Sequence, residues 1–236
     1  MANFRGVDYL LIDSQLSEQE LLVRQTTRRF VDENISPVIR DCFRDGKSPT
    51  GLARKMGELG FLGANLTGYG CAGMNNVEYG LVMQELERGD SGVRSFASVQ
   101  GALVMYPILT YGSEAQRERW LPRLQSGEAV GCFGLTEPGF GSNPAGMTTR
   151  ARRDGTSHWI LDGEKTWITN GTVADVRWCG LARPKASTDF WWSAAHPASR
   201  RLNCTASSPC APPSRQAWRS TNAASPPKTN SRKPRD

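Results

Sequence analysis

The stretch "AVGCFGLTEPGFGSNPAG" (Ala129–Gly146) divides the chain into two kinds of text. Its first half, "AVGCFGLTE", reads as a short apolar strand, and its second half is a loop of Gly, Ser and Pro. Before it, apolar residues recur at helical spacing; after it, they alternate. A loop of this composition lets backbone N–H groups come close to an anion or a flat ring. It fails as a dinucleotide fingerprint, because Pro144 stands at the third glycine position and no helix follows. It also lacks the Gly-Lys-Ser/Thr of a Walker loop. Taken by itself it fits a connecting loop at a domain seam as well as it fits a binding loop.

Upstream, the pattern is helical. Ser17 and Glu20 have capping-box spacing, and Leu21, Leu22, Phe30, Val31, Ile35 and Val38 supply an apolar face that ends near Pro37. "PTGLARKMGELG" is a short helix closed by Gly60. "VEYGLVMQEL" (77–86) follows a Gly/Asn loop. "VRSFASVQGALVMYPILTYG" is nearly all apolar or small and reads as a buried helix. Ser113 and Gln116 repeat the capping-box spacing. Residues 1–128 are therefore expected to form an α-helical domain.

Downstream, "MTTRARRDGTSHWILDGEKTWITNG" alternates, punctuated by Asp154–Gly155, Asp162–Gly163 and Asn170–Gly171. Such pairs suit hairpin turns, which need positive φ. The expected β domain starts near Ala129 and has laid down only its first strands by Val176. A few strands with open edges do not make a stable domain.

Composition changes again after Val176. Residues 177–236 hold 11 Lys+Arg against 2 Asp+Glu, a net of +9, whereas residues 1–176 carry 18 against 21, a net of −3. The basic character of the chain thus belongs to the tail, which argues against a nucleic-acid-binding body. The tail has no Val, Ile, Met, Tyr or Glu, and holds 8 of the 14 Pro but one of the 24 Gly. Such a segment buries too little apolar surface to offset its ordering entropy, so disorder is expected. Four of the seven Trp also lie there, which is unusual for a disordered linker.

The six cysteines form no C-x-x-C pair, and His158 and His196 are the two histidines, so no metal site is expected. No apolar run approaches the roughly 20 residues that cross a bilayer. The start has neither a signal-peptide nor a transit-peptide pattern, which leaves a bacterial cytoplasm as the expected compartment.

"GLTEPGFGS" (134–142) and "GEKTWITNG" (163–171) follow a helical region containing "MGELGFLG", "ELERGDSGVRS" and "YGSEAQRERWLPRLQSGE". This ordered set, over roughly residues 15–176, resembles the acyl-CoA dehydrogenase family, and most closely its glutaryl-CoA dehydrogenases. The resemblance implies an N-terminal helical domain (1–128), a middle β-barrel-like domain (129–176 here, partial) and a C-terminal helical bundle, absent here: an α+β chain with a non-family tail at 177–236. It implies FAD as cofactor, a glutaryl-CoA substrate that is oxidised and decarboxylated to crotonyl-CoA, electron-transfer flavoprotein as acceptor, and a homotetramer.

Carried over by position, Phe133, Leu135, Thr136 and Ser142 resemble the first flavin-contacting stretch, with Ser142 near the FAD pyrophosphate or the CoA pantetheine. Trp167, Ile168 and Thr169 resemble the second. A wide aromatic suits stacking on a flavin, and a short hydroxyl suits a ring nitrogen. Read without the resemblance, Trp167 is also compatible with a core position on a sheet face. Arg94, with Ser95, resembles the pair that binds the substrate's distal carboxylate, for which a planar guanidinium is well shaped. An alternative for Arg94 is a surface salt bridge to Glu87 or Asp90. Asn143 departs from the family's Asp, keeping the shape and losing the charge.

The family's catalytic Glu belongs to the missing bundle, so no catalytic residue is assigned, and residues 177–236 contain no Glu at all. Two explanations of the tail are an evolved disordered segment and a reading-frame slip near Val176–Arg177. Two functional readings follow. One is a flavin-dependent dehydrogenase by descent, inactive as this chain; the other is a non-catalytic helical binding module with a basic tail.

Overall fold

A computed structural model describes residues 9–49, 51–154, 158–182, 188–194 and 218–221. Seven α-helices precede the strands: α1 (Glu18–Asn34), α2 (Ile39–Asp45), α3 (Leu52–Glu58), α4 (Asn76–Gly89), α5 (Ser91–Ser98), α6 (Tyr106–Tyr111) and α7 (Glu114–Gln125). Six strands follow among the described residues: β1 (Gly131–Gly134), β2 (Arg150–Asp154), β3 (His158–Asp162), β4 (Val176–Ala182), β5 (Thr188–Ala194) and β6 (Trp218–Thr221). No C-terminal helical bundle occurs among the described residues. The chain falls into two compact units, Met1–Pro49 with Met74–Arg94, and Thr50–Gly73 with Ser95–Asp236. The units therefore do not follow the change from helices to strands near residue 129, because the later helices pack with the strands.

In the first unit α1 packs against α4. The capping box at Ser17 is present, with the Ser17 N–H donating to Glu20 Oε2 at 2.8 Å. Asn75 supplies a second one for α4, unanticipated in the sequence. Phe30, Val31 and Ile35 are buried as expected, while Leu22 and Val38 of the expected apolar face are exposed. Gly89 lets the end of α4 approach Val31, since a Cβ there would lie 2.6 Å from Val31 Cγ1. Glu85 is buried between Arg28 and Arg88. Burial opposes its ionisation, but hydrogen bonds and charge from the two arginines outweigh it and lower its pKa.

In the second unit, Gly60 closes α3 with φ +72°, the left-handed C-terminal cap expected of it. The expected buried helix at 93–112 is α5 and α6 joined by a π segment, Val99–Met105. It is not buried all round: Leu103, Tyr106 and Tyr111 are exposed. Its inner face meets α7, β1 and β4 in a core of Val104, Met105, Ile108, Trp120, Leu121, Leu124, Val176 and Trp178.

Gln100, fully buried in the π segment, joins the helices to the sheet. Its Nε2 donates to Leu124 O and Ala129 O, both at 2.9 Å, and its Oε1 accepts from Gly131 N at 2.8 Å. The wider π turn is rare and occurs mostly as a short insertion within α-helices. Gly131 is required at the joint, because a Cβ would overlap Val104.

β1 pairs in parallel with β4, and β4 pairs antiparallel with β5. The β2–β3 hairpin and β6 form a second, antiparallel sheet. The expected hairpin at Asp154–Gly155 is borne out in the pairing of Asp154 with His158, although residues 155–157 lie outside the described residues. The hairpins expected at Asp162–Gly163 and Asn170–Gly171 are not. The chain leaves the sheet after Asp162, crosses as irregular loop, and returns as β4 beside β1. A parallel partner needs such a long crossover. Asp175 fixes the return, its carboxylate accepting from Val130 N at 2.9 Å and its N–H donating to Val130 O at 2.7 Å.

The domain end expected at Val176 also needs correction. Val176 opens β4, whose residues 178–181 are buried, and β5 extends that sheet to Ala194. Disorder expected from residue 177 onward therefore does not hold for 177–182 and 188–194; the rest of the tail, apart from β6, lies outside the described residues.

Gln100→Met should lower the unfolding free energy by about 2 kcal/mol, because it strands the Ala129 carbonyl and the Gly131 N–H, while Leu124 O keeps the Gly127 N–H. Urea denaturation followed by Trp fluorescence measures this. Trp120→Ala, which removes core volume together with the ring that Arg119 and Arg123 lie over, should cost about 3–5 kcal/mol in the same assay.

Candidate flavin-contacting site

The two stretches singled out in the sequence meet in the second unit. Thr166 N donates to Thr136 O at 2.9 Å, and Asn170 Nδ2 donates to Gly131 O at 3.0 Å. Ile168 is buried with Cys132 and Ala174, which pins the second stretch beneath β1. Phe133, Leu135, Thr136 and Thr169 are half-buried. Ser142 is exposed, in the loop beyond the bridge between Glu137 and Phe140.

Glu137 and Lys165, which sequence reasoning missed, hold this arrangement. Their side chains are 3% and 1% exposed. Lys165 Nζ donates to Leu135 O and to Glu137 Oε1, both at 2.9 Å. Glu137 also accepts from Thr148 N (2.7 Å) and Oγ1 (2.8 Å), and from Thr149 N (3.0 Å) and Oγ1 (2.5 Å). Three segments of irregular chain are thereby fastened at one point. Burial alone would raise the Glu137 pKa, but hydrogen bonds from Thr149, Lys165 and Thr148 prevail and lower it to about 2. The available signal was Glu137, the one charge in "GLTEPGFGS", with Lys165 the one cation in "GEKTWITNG".

Trp167 is not a core residue. It is 63% exposed and has φ 59°, in the left-handed region. Both features are unfavourable for a bulky aromatic in isolation, and such outliers cluster at ligand sites. Asn170, at φ 65°, is a residue type that tolerates this region. The indole is thus presented to solvent next to Thr166, whose N–H is bonded to Thr136 O.

Arg94 and Ser95 lie in α5, Arg94 in the first unit and Ser95 in the second. Arg94 Nε is 2.5 Å from Glu87 Oε2, the salt-bridge alternative raised by the sequence. Arg94 and Ser91 hydrogen-bond Glu87 and lower its pKa. Ser95 is half-buried, and its carbonyl accepts from Ser98 Oγ at 3.1 Å. Among the described residues no cluster of His, Cys, Asp or Glu could hold a metal, and no helix is long and apolar enough to cross a membrane. The described cysteines carry thiols and form no disulfide with one another.

Known protein domains match both parts of the chain. The acyl-CoA dehydrogenase N-terminal domain matches residues 17–128, and the acyl-CoA dehydrogenase middle domain matches residues 132–193. The chain belongs to the acyl-CoA dehydrogenase family. Among solved structures it resembles a glutaryl-CoA dehydrogenase from Mycobacterium smegmatis, with 51% identity and a TM-score of 0.75 over 81% of this chain and 49% of that one. A glutaryl-CoA dehydrogenase from the same organism, in complex with FADH2, is 46% identical with a TM-score of 0.73, over 91% of this chain and 54% of the other. The bovine short-chain specific acyl-CoA dehydrogenase of mitochondria is 37% identical over 166 residues, 69% of this chain and 39% of that protein. The chain thus spans about half the length of its relatives or less. The middle-domain match also runs past Val176, where the sequence had suggested the domain's end.

The lowered Glu137 pKa means the carboxylate contributes stability above the unfolded value of 4.5. That contribution is lost as pH falls from there towards about 2. Glu137→Gln should flatten the acid side of a urea-denaturation series over this window. Lys165→Met, which leaves the carboxylate buried without its cation, should cost about 3–5 kcal/mol at pH 7.

Proposed function

We propose that this chain carries the part of an FAD-dependent glutaryl-CoA dehydrogenase that cradles one side of the flavin, and that it does not turn over by itself. The observation behind this reading is the exposed, left-handed Trp167, in a stretch tied to the chain leaving β1 by the Thr166–Thr136 hydrogen bond and the Glu137–Lys165 pair. The glutaryl-CoA dehydrogenases among its relatives support the substrate class.

In this reading Phe133, Leu135, Thr136, Trp167, Ile168 and Thr169 would hold the flavin, with Ser142 towards the FAD pyrophosphate or CoA. FAD, when bound, accepts the hydride removed from the acyl β-carbon. The chain's own residues exclude water from one ring face and offer backbone and hydroxyl hydrogen bonds. Arg94 and Ser95 would bind the distal carboxylate, for which Arg94 must share or leave Glu87. A base to remove the α-proton is not assigned to any residue of this chain. Oxidation and decarboxylation to crotonyl-CoA, electron delivery to electron-transfer flavoprotein, tetramer assembly and a bacterial cytoplasmic location are proposed for the longer protein that this chain matches in part.

The experiment is visible absorption and flavin-fluorescence titration of the purified chain. Free FAD should bind weakly, with its fluorescence quenched by Trp167. Trp167→Gly should remove the quenching, yet leave unfolding free energy unchanged or raised, because it relieves a left-handed aromatic. Glutaryl-CoA should not bleach the flavin. A colourless protein that leaves FAD fluorescence unchanged, and whose polyanion binding depends on residues 177–236, would support the helical-module reading instead.

A further inference from the structure

Arg177 is the second residue of β4, between Val176 and the buried run 178–181. Its Nε and Nη1 are buried and have no hydrogen-bond partner among the described residues. Arg177 is half-buried, and keeping two of its three guanidinium nitrogens from water without a partner is destabilising, so a sequence selected for this strand would not place one there. A strand buried on both faces asks instead for a run of Val, Ile and Leu. The 60 residues from Arg177 onward lack Val and Ile altogether.

The genetic code relates these two facts. In the frame one base back, each codon consists of the last base of one present codon and the first two of the next. Trp, Cys and Phe codons begin with T, so in that frame T becomes the middle base. Codons with T in the middle encode only Phe, Leu, Ile, Met and Val. A stretch rich in Trp and poor in aliphatic residues is therefore what an apolar stretch yields when read out of frame.

Several positions resolve without knowledge of the DNA. Trp178 becomes Leu, Met or Val. Cys179, preceded by the single Trp codon, becomes Val. Phe190 becomes Phe or Leu, Trp191 becomes Leu, and Trp192 becomes Val. These runs fall on β4 and β5, the strands that continue the sheet from β1. The remaining frame gives Gly at 178, 191 and 192, which weakens strands and leaves nothing to pack.

We infer that residues 177–236 are an out-of-frame reading of a stretch that, one base back, encodes the continuation of the β domain, with a single base lost at the codons for Val176–Arg177. Sequencing the source DNA from codon 170 through codon 236 tests this. The frame one base back should stay open throughout and read aliphatic at 178–179 and 190–192; a stop codon inside it overturns the inference. The measurement does not involve flavin, so its failure is distinct from failure of the proposed function.

Discussion

The contact between Lys165 and Glu137 is the constraint on which the candidate site depends. Neither "LTEPGFGS" nor "EKTWITN" lies in a ladder beyond Gly134, so no repeating backbone pattern fixes their separation. One ammonium reaching a carbonyl at Leu135 and a carboxylate at Glu137 does so instead. The carboxylate in turn gathers the two threonines that lead into β2. Burying such a pair is favourable only when nearly every lone pair and proton is used, and here five hydrogen bonds reach the carboxylate. The geometry on either side of Trp167 is then over-determined, which is the condition under which a left-handed aromatic persists.

A second joint plays the same role further inside. Gln100 satisfies the end of α7, the turn after it and the start of β1 with one side chain. Together with the absent Cβ of Gly131, it sets β1 directly against the π segment. The strand that carries Phe133 into the site is thus positioned by a helix, and the site inherits its rigidity from the core of the second unit. That core uses Val176 and Trp178 of β4, so the sheet cannot stop where the apolar composition stops.

Much of this was legible in the sequence. Capping boxes, the Gly60 cap and the switch from helical to alternating spacing located the helices and the first strands, since each depends on neighbours close in the chain. The candidate site residues were named through resemblance, whereas the run holding Trp167, expected as strand and hairpin, is irregular loop. The turns at Asp162 and Asn170 were misread because an Asn-Gly or Asp-Gly pair specifies a local bend, whereas the partner of the following strand is decided elsewhere. Exposure of Leu22, Val38, Leu103 and Tyr106 was hidden because periodicity shows where apolar residues lie, not how much of that face finds a neighbour.

By itself the sequence determined the helical and strand-forming segments, the two stretches suited to a flavin, and the break in composition after Val176, all of which are properties of local residue order. Tertiary structure alone decided that β1 takes β4 as a parallel partner, that Arg94 faces Glu87, and that Lys165 reaches across to Glu137. These are contacts between residues far enough apart that only the packed core brings them within hydrogen-bonding distance. It also placed Arg177 in β4 with two guanidinium nitrogens buried and without a hydrogen-bond partner among the described residues.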